Sequence, residues 1–160
     1  MHDRPPEPTP RGTAFHEAGH AVAALDAGFA FRAVSMRSGD LSVPGRHGGV
    51  LDVDRPPSDQ SGRIPAEPGW PVAVFYMAGP EAERMETGRP PWWVVDRITL
   101  EQHVDIGPTW AAQNAYVRRA AEEARALLAA HWAEVEALAE ALLEHERLTY
   151  AEALRIARVS

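Results

Sequence analysis

The sequence predicts a mostly α-helical domain with a small β element near the front. Three observations carry this. Apolar residues recur at helical spacing on either side of the middle of the chain, alternation is confined to two short stretches after residue 30, and Gly and Pro punctuate the segments between. With 160 residues the chain is long enough for one domain with a real core. Hydrophobic residues make up 45% and charged residues 24%, the balance of a globular protein.

The elements follow in order. Residues 1–12 are rich in Pro and polar side chains and read as a disordered lead-in to a domain over 13–160. Thr13 is placed to cap a helix running to about Ala27, with Gly28 as its stop. Phe15, Ala18, Val22 and Leu25 form its expected buried stripe. Phe31–Arg37 alternates as a half-buried strand does, Gly39-Asp40 is a turn signal, and a second strand is expected at Gly49–Val53. The Pro- and Gly-dense stretch 55–71 reads as a loop. Val72–Met77 opens a second helix that Pro80 should kink or restart after Gly79. Gly88–Pro91 breaks the pattern again, and Trp92–Val95 is a short apolar run without a clear period. Thr109 to about Glu146 is helical, with a break near His131 or none. Leu128, Trp132, Val135, Ala139 and Leu142 make up its apolar face. Thr149 and Glu152 have capping-box spacing, so a last helix should occupy about Tyr150–Arg158.

The net charge of -7, with no lysine and scattered arginines, argues against nucleic-acid binding. The absence of cysteine excludes thiolate metal sites, so a metal here must be held by His, Asp or Glu. No apolar stretch approaches the roughly 20 residues of a membrane span, and no secretory signal opens the chain. A cytoplasmic location is the expectation.

One segment carries chemistry. His16-Glu17-Ala18-Gly19-His20 is an H-E-x-x-H motif within a predicted helix. Histidines four apart differ by about 40° around a helix, so both rings face the same way, as zinc requires of adjacent turns. Glu17 lies beside that face, placed to act as general base on a zinc-bound water. A catalytic zinc commonly takes a third protein ligand. Asp26 stands where one extended motif has its last ligand, but a continuing helix turns it about 240° from His20. Glu81, Glu83, Glu86, Asp96, His103 and Asp105 remain available, and spacing does not choose among them.

The motif resembles that of the peptidase domain of FtsH-type ATP-dependent membrane proteases. The resemblance extends over about residues 12–157. Met77–Glu83 is similar to the family's LAGRAAEE helix, and Leu138–Glu144 reads LAEALLE, as its C-terminal helices do. It implies a helical, zincin-like zinc metallopeptidase. His16, His20 and Asp105 would hold Zn2+, Glu17 would be the catalytic base, and a peptide or unfolded protein would be the substrate. The stretch matched to the family's aspartate departs from its pattern. Gln102-His103-Val104 replaces small polar residues, Gly107-Pro108 follows, and His103 is the reserve ligand. The resemblance also implies that an edge strand near Gly48–Val53 pairs with substrate backbone. Trp92 and Trp93 fit a core or interface better than a substrate pocket, and His47 fits a loop. No phosphate-binding loop occurs in these 160 residues, so hydrolysis by this chain is expected to be ATP-independent, and any ATPase would be a separate partner. The alternative expectation is a zinc-stabilised binding or regulatory module with the peptidase fold and little hydrolysis.

Overall fold

The computed structural model describes residues 8–37, 50–53, 63–89 and 94–160. Among these lie six helices and five short strands. In chain order they are α1 (Pro10–Ala27), β1 (Phe31–Ser35), β2 (Val50–Val53), β3 (Ile64–Pro65), α2 (Trp70–Thr87), α3 (Val94–His103), β4 (Val104–Asp105), α4 (Trp110–Ala130), α5 (Trp132–His145), β5 (Arg147–Thr149) and α6 (Tyr150–Arg158). The mostly helical expectation with a small β element near the front therefore holds. The Gly39-Asp40 turn, His47 to Gly49, residues 55–62 of the expected loop, Trp92 and Trp93 lie outside the described residues.

α1 is the central helix. It packs against α2 and α5, and α2 in turn packs against α4. From Ala14 to Ala24 nearly every residue of α1 is buried, so the expected stripe is too narrow. A helix enclosed by neighbours on several sides buries its whole circumference. Leu25, assigned to that stripe, is only half-buried. The helix also starts earlier than expected. Thr9, not Thr13, is the cap, its hydroxyl accepting from Gly12 N at 3.0 Å, and Pro10 occupies the first helical position. Proline is preorganised there and loses no hydrogen bond. Residues 10–12 thus belong to the helix rather than to the lead-in. Gly28 ends it at φ 75°, as expected.

α1 and α2 approach closely at small residues. A methyl group added at Gly19 would fall 2.6 Å from the Ala82 Cβ and 2.5 Å from the Ala78 carbonyl oxygen. Only glycine allows this backbone contact. α2 runs unbroken through Pro80, whose missing N–H forfeits one helical bond. Pro80 is fully buried, so packing holds the helix together where the sequence suggested a restart.

β1 is the middle strand of an antiparallel three-stranded sheet in the order β2-β1-β5, with a bulge between Phe31 and Val34 opposite β2. β3 and β4 form a separate two-residue parallel pair, which the sequence did not suggest. The α4–α5 break falls at His131. Val135, Leu138, Ala139 and Leu142 are buried on α5, while Trp132 is half-buried against Phe15, ring centroids 5.6 Å apart. The capping box of α6 is formed in both directions: Thr149 N donates to Glu152 Oε2 at 2.8 Å, and Glu152 N donates to Thr149 Oγ1 at 3.2 Å.

Candidate metal centre

His16 and His20 stand one turn apart on α1 and turn their Nε2 atoms toward each other, 3.2 Å apart. Asp96, in the first turn of α3, closes the group. Its Oδ2 is 3.2 Å from His16 Nε2, and its Oδ1 is 3.2 Å from His20 Nε2. A carboxylate at a helix N-terminus also meets the positive end of the helix dipole. Among the described residues this is the one cluster of three side chains with metal-ligating atoms within reach of one another.

The surroundings fix both rings. His20 Nδ1 donates to the Phe75 carbonyl at 2.8 Å, and a carbonyl can only accept. His16 Nδ1 donates to Glu83 Oε2 at 2.9 Å. In the neutral rings both Nε2 atoms therefore present lone pairs. Two such lone pairs and a carboxylate pointed at one spot repel unless a proton or cation sits among them. Tetrahedral zinc, with bonds of about 2.0–2.1 Å, sets its donors about 3.3 Å apart, close to the spacings seen here. A partner on each Nδ1–H is the usual outer-shell device of metal-binding histidines. The donor set fits zinc.

The electrostatics agree with a site made for positive charge. Burial of His16 opposes its charge, but the charge and hydrogen bond of Asp96, the Glu83 hydrogen bond and the charge of Glu17 together outweigh it. The imidazole pKa rises to about 10. Burial pushes Asp96 upward, but the charges and hydrogen bonds of His16 and His20 pull it below the ordinary carboxylate range. The side chains of His20 and Asp96 are 4% and 5% exposed and that of His16 is 16%, so the cluster meets the outside at His16.

The close helix contact also seats His20. Gly79 lies against its ring, and a methyl group there would fall 2.6 Å from Cδ2 and Cε1. The Phe75 ring packs against it as well, centroids 5.1 Å apart. Glu17, 4% exposed, is buried beside the pair and close enough for His16 to feel its charge.

The carboxylate that meets the histidines is thus Asp96, not Asp105. Asp105 lies on β4 with its side chain exposed, its Oδ1 accepting from Gly107 N at 3.3 Å. His103 ends α3 and stacks on Tyr76 at 6.0 Å instead of joining the cluster. Of the glutamates on α2, Glu83 supports His16, Glu81 pairs with Arg125 at 3.1 Å, and Glu86 pairs with Arg11 at 2.7 Å. Asp96 was one of several open candidates in the sequence. Its signal is an acidic residue opening a short helix two turns before Val104. No protein-family model matches the chain, and no curated protein matches it.

Proposed function

We propose that this protein is a zinc metallopeptidase whose metal is held by His16, His20 and Asp96 and whose general base is Glu17. One observation carries the reading: His16 Nε2 and His20 Nε2 lie 3.2 Å apart, each has one oxygen of the Asp96 carboxylate at 3.2 Å, and both histidine Nδ1–H groups are already committed elsewhere. Support also comes from the H-E-x-x-H motif and from the resemblance to FtsH-type peptidase domains, with the third ligand moved from Asp105 to Asp96. Bound zinc would supply Lewis acidity, lowering the pKa of water to about 7 and polarising a scissile carbonyl. Glu17 takes a proton from the attacking water and passes it to the departing amine. Glu83 and the Phe75 carbonyl hold the two imidazoles in the tautomer that leaves Nε2 free to bind. The substrate is an extended peptide or unfolded protein. β2 is one of the two edge strands of its sheet, and the resemblance implies that its backbone would pair with the substrate.

The second reading is a zinc-stabilised binding module. It is favoured by the near-complete burial of His20 and Asp96, because the cluster ties α1 to α3 whether or not a peptide is cleaved. Replacing Glu17 with Gln separates the two. In a peptidase, zinc content stays at one per chain while hydrolysis of an unfolded protein drops by at least about 100-fold. Wild-type protein that holds zinc and cleaves nothing supports the module. Wild-type protein that holds no zinc overturns both.

A further inference from the structure

The metal centre is assembled from two pieces. α1 supplies two donors and sits in the middle of the core, whereas α3 supplies only Asp96 and is ten residues long. Among the described residues, two attachments bear on the pose of α3. On the face it shares with Asp96, Leu100 is fully buried and His103 stacks on Tyr76 of α2. About 100° around the helix, Arg97 is 7% exposed and reaches α4. Its Nε donates to Glu101 at 2.9 Å, its Nη1 donates to Asn114 Oδ1 at 2.7 Å, and its guanidinium lies 4.5 Å over the Trp110 ring.

We propose that Arg97 is a positioning residue for the metal centre: its guanidinium, oriented by Glu101 of the same helix and held by Asn114 and the Trp110 ring of α4, fixes the rotation of α3 that delivers Asp96 to His16 and His20. The inference rests on the metal reading above. A guanidinium is planar, so two in-plane hydrogen bonds and a stacked face leave it little freedom. Contacts on α2 alone set how α3 lies but resist its rolling less. The lever is short. A carboxylate stands about 5–6 Å from its helix axis, so a roll of about 10° moves it by about 1 Å. Metal bonds tolerate about 0.2 Å. A small loosening of Arg97 therefore reaches the metal.

The test is zinc affinity of the whole chain, measured by competition with a chromophoric chelator, with melting in chelator recorded separately. Arg97→Met should weaken zinc about 10-fold. Arg97→Lys keeps the charge but not the fork, and should fall with Arg97→Met. In an Asp96→Asn background, Arg97→Met should change zinc affinity less than twofold, because the ligand it positions is gone. Trp110 is 69% exposed, so Trp110→Ala should fold even if Arg97→Met does not, and should weaken zinc about threefold through Asp96 alone. Equal losses with and without Asp96 would mark a general structural effect and overturn the proposal. Full affinity in Arg97→Lys would show that charge alone suffices, and would overturn it too. Wild-type protein that binds no zinc would remove the metal reading itself. Wild-type binding with unaltered Arg97 and Trp110 variants would remove only the positioning role.

Discussion

Gly79→Ala sets helix propensity against site geometry. Alanine in a helix interior is favoured over glycine by roughly 0.5–1 kcal/mol, so propensity alone expects a more stable protein. Here the new methyl would sit 2.6 Å from His20 Cδ2 and Cε1. Ordinary carbon contacts are about 3.5–4.0 Å, so ring and methyl must part by about 1 Å. The Phe75 carbonyl holds the same ring at 2.8 Å, so the shift strains that bond as well. Overpacking of this kind costs about 1–3 kcal/mol, which exceeds the propensity gain. A net loss of about 1 kcal/mol lowers the melting temperature by roughly 2–4 °C for a chain of this size. The metal effect is larger, because a displacement of about 1 Å is several times the tolerance of a metal bond. Zinc affinity by chelator competition should drop at least 10-fold. Gly79→Ala with wild-type zinc affinity would refute the claim that the α1–α2 contact seats His20.

Glu83→Gln keeps an acceptor for His16 Nδ1 and removes its charge, and should weaken zinc roughly 10- to 100-fold while melting in chelator changes little; isothermal titration reads the first and calorimetry the second. Without metal, the raised pKa of His16 makes stability depend on pH. The contribution is complete below about pH 6.5 and is lost as pH rises through about 10, so melting in chelator should fall across that window and flatten in Asp96→Asn. Asp96 acts in the opposite sense, its contribution being present above the ordinary carboxylate pKa of 3.8 and lost as pH falls below it. Thr149→Ala removes half of the α6 capping box and should cost about 1 kcal/mol in urea unfolding, with zinc affinity unchanged.

What could be read from the sequence was what local chemistry decides. The His16–His20 pair, the Gly28 stop, the first strand, the break at His131 and the Thr149–Glu152 box each depend on residues within one or two turns. The start of α1 was readable too, since Thr9-Pro10 is a cap followed by a first-turn proline, but Thr13 offered the same hydroxyl closer to the apolar stripe. α3 left little trace. Its ten residues, Val94–His103, mix apolar and charged side chains, and they follow a run without periodicity. The two-residue strands β3 and β4 are too short for any pattern. The carboxylate of the cluster was out of reach for a physical reason. Asp96 meets His16 across 80 residues of chain, and what brings it there is the packing of α3 on α2 and α4, not a spacing. The resemblance favoured Asp105, which lies just past the end of that same helix, on β4 and outside the cluster.

The central claim is that His16, His20 and Asp96 together hold one zinc ion. Zinc content by mass spectrometry, after dialysis against a weak chelator, compares the wild type with Asp96→Ala and Asp105→Ala. One zinc per chain is expected in the wild type and in Asp105→Ala, and little in Asp96→Ala. Zinc retained in Asp96→Ala and lost in Asp105→Ala, or absent from the wild type, would contradict it.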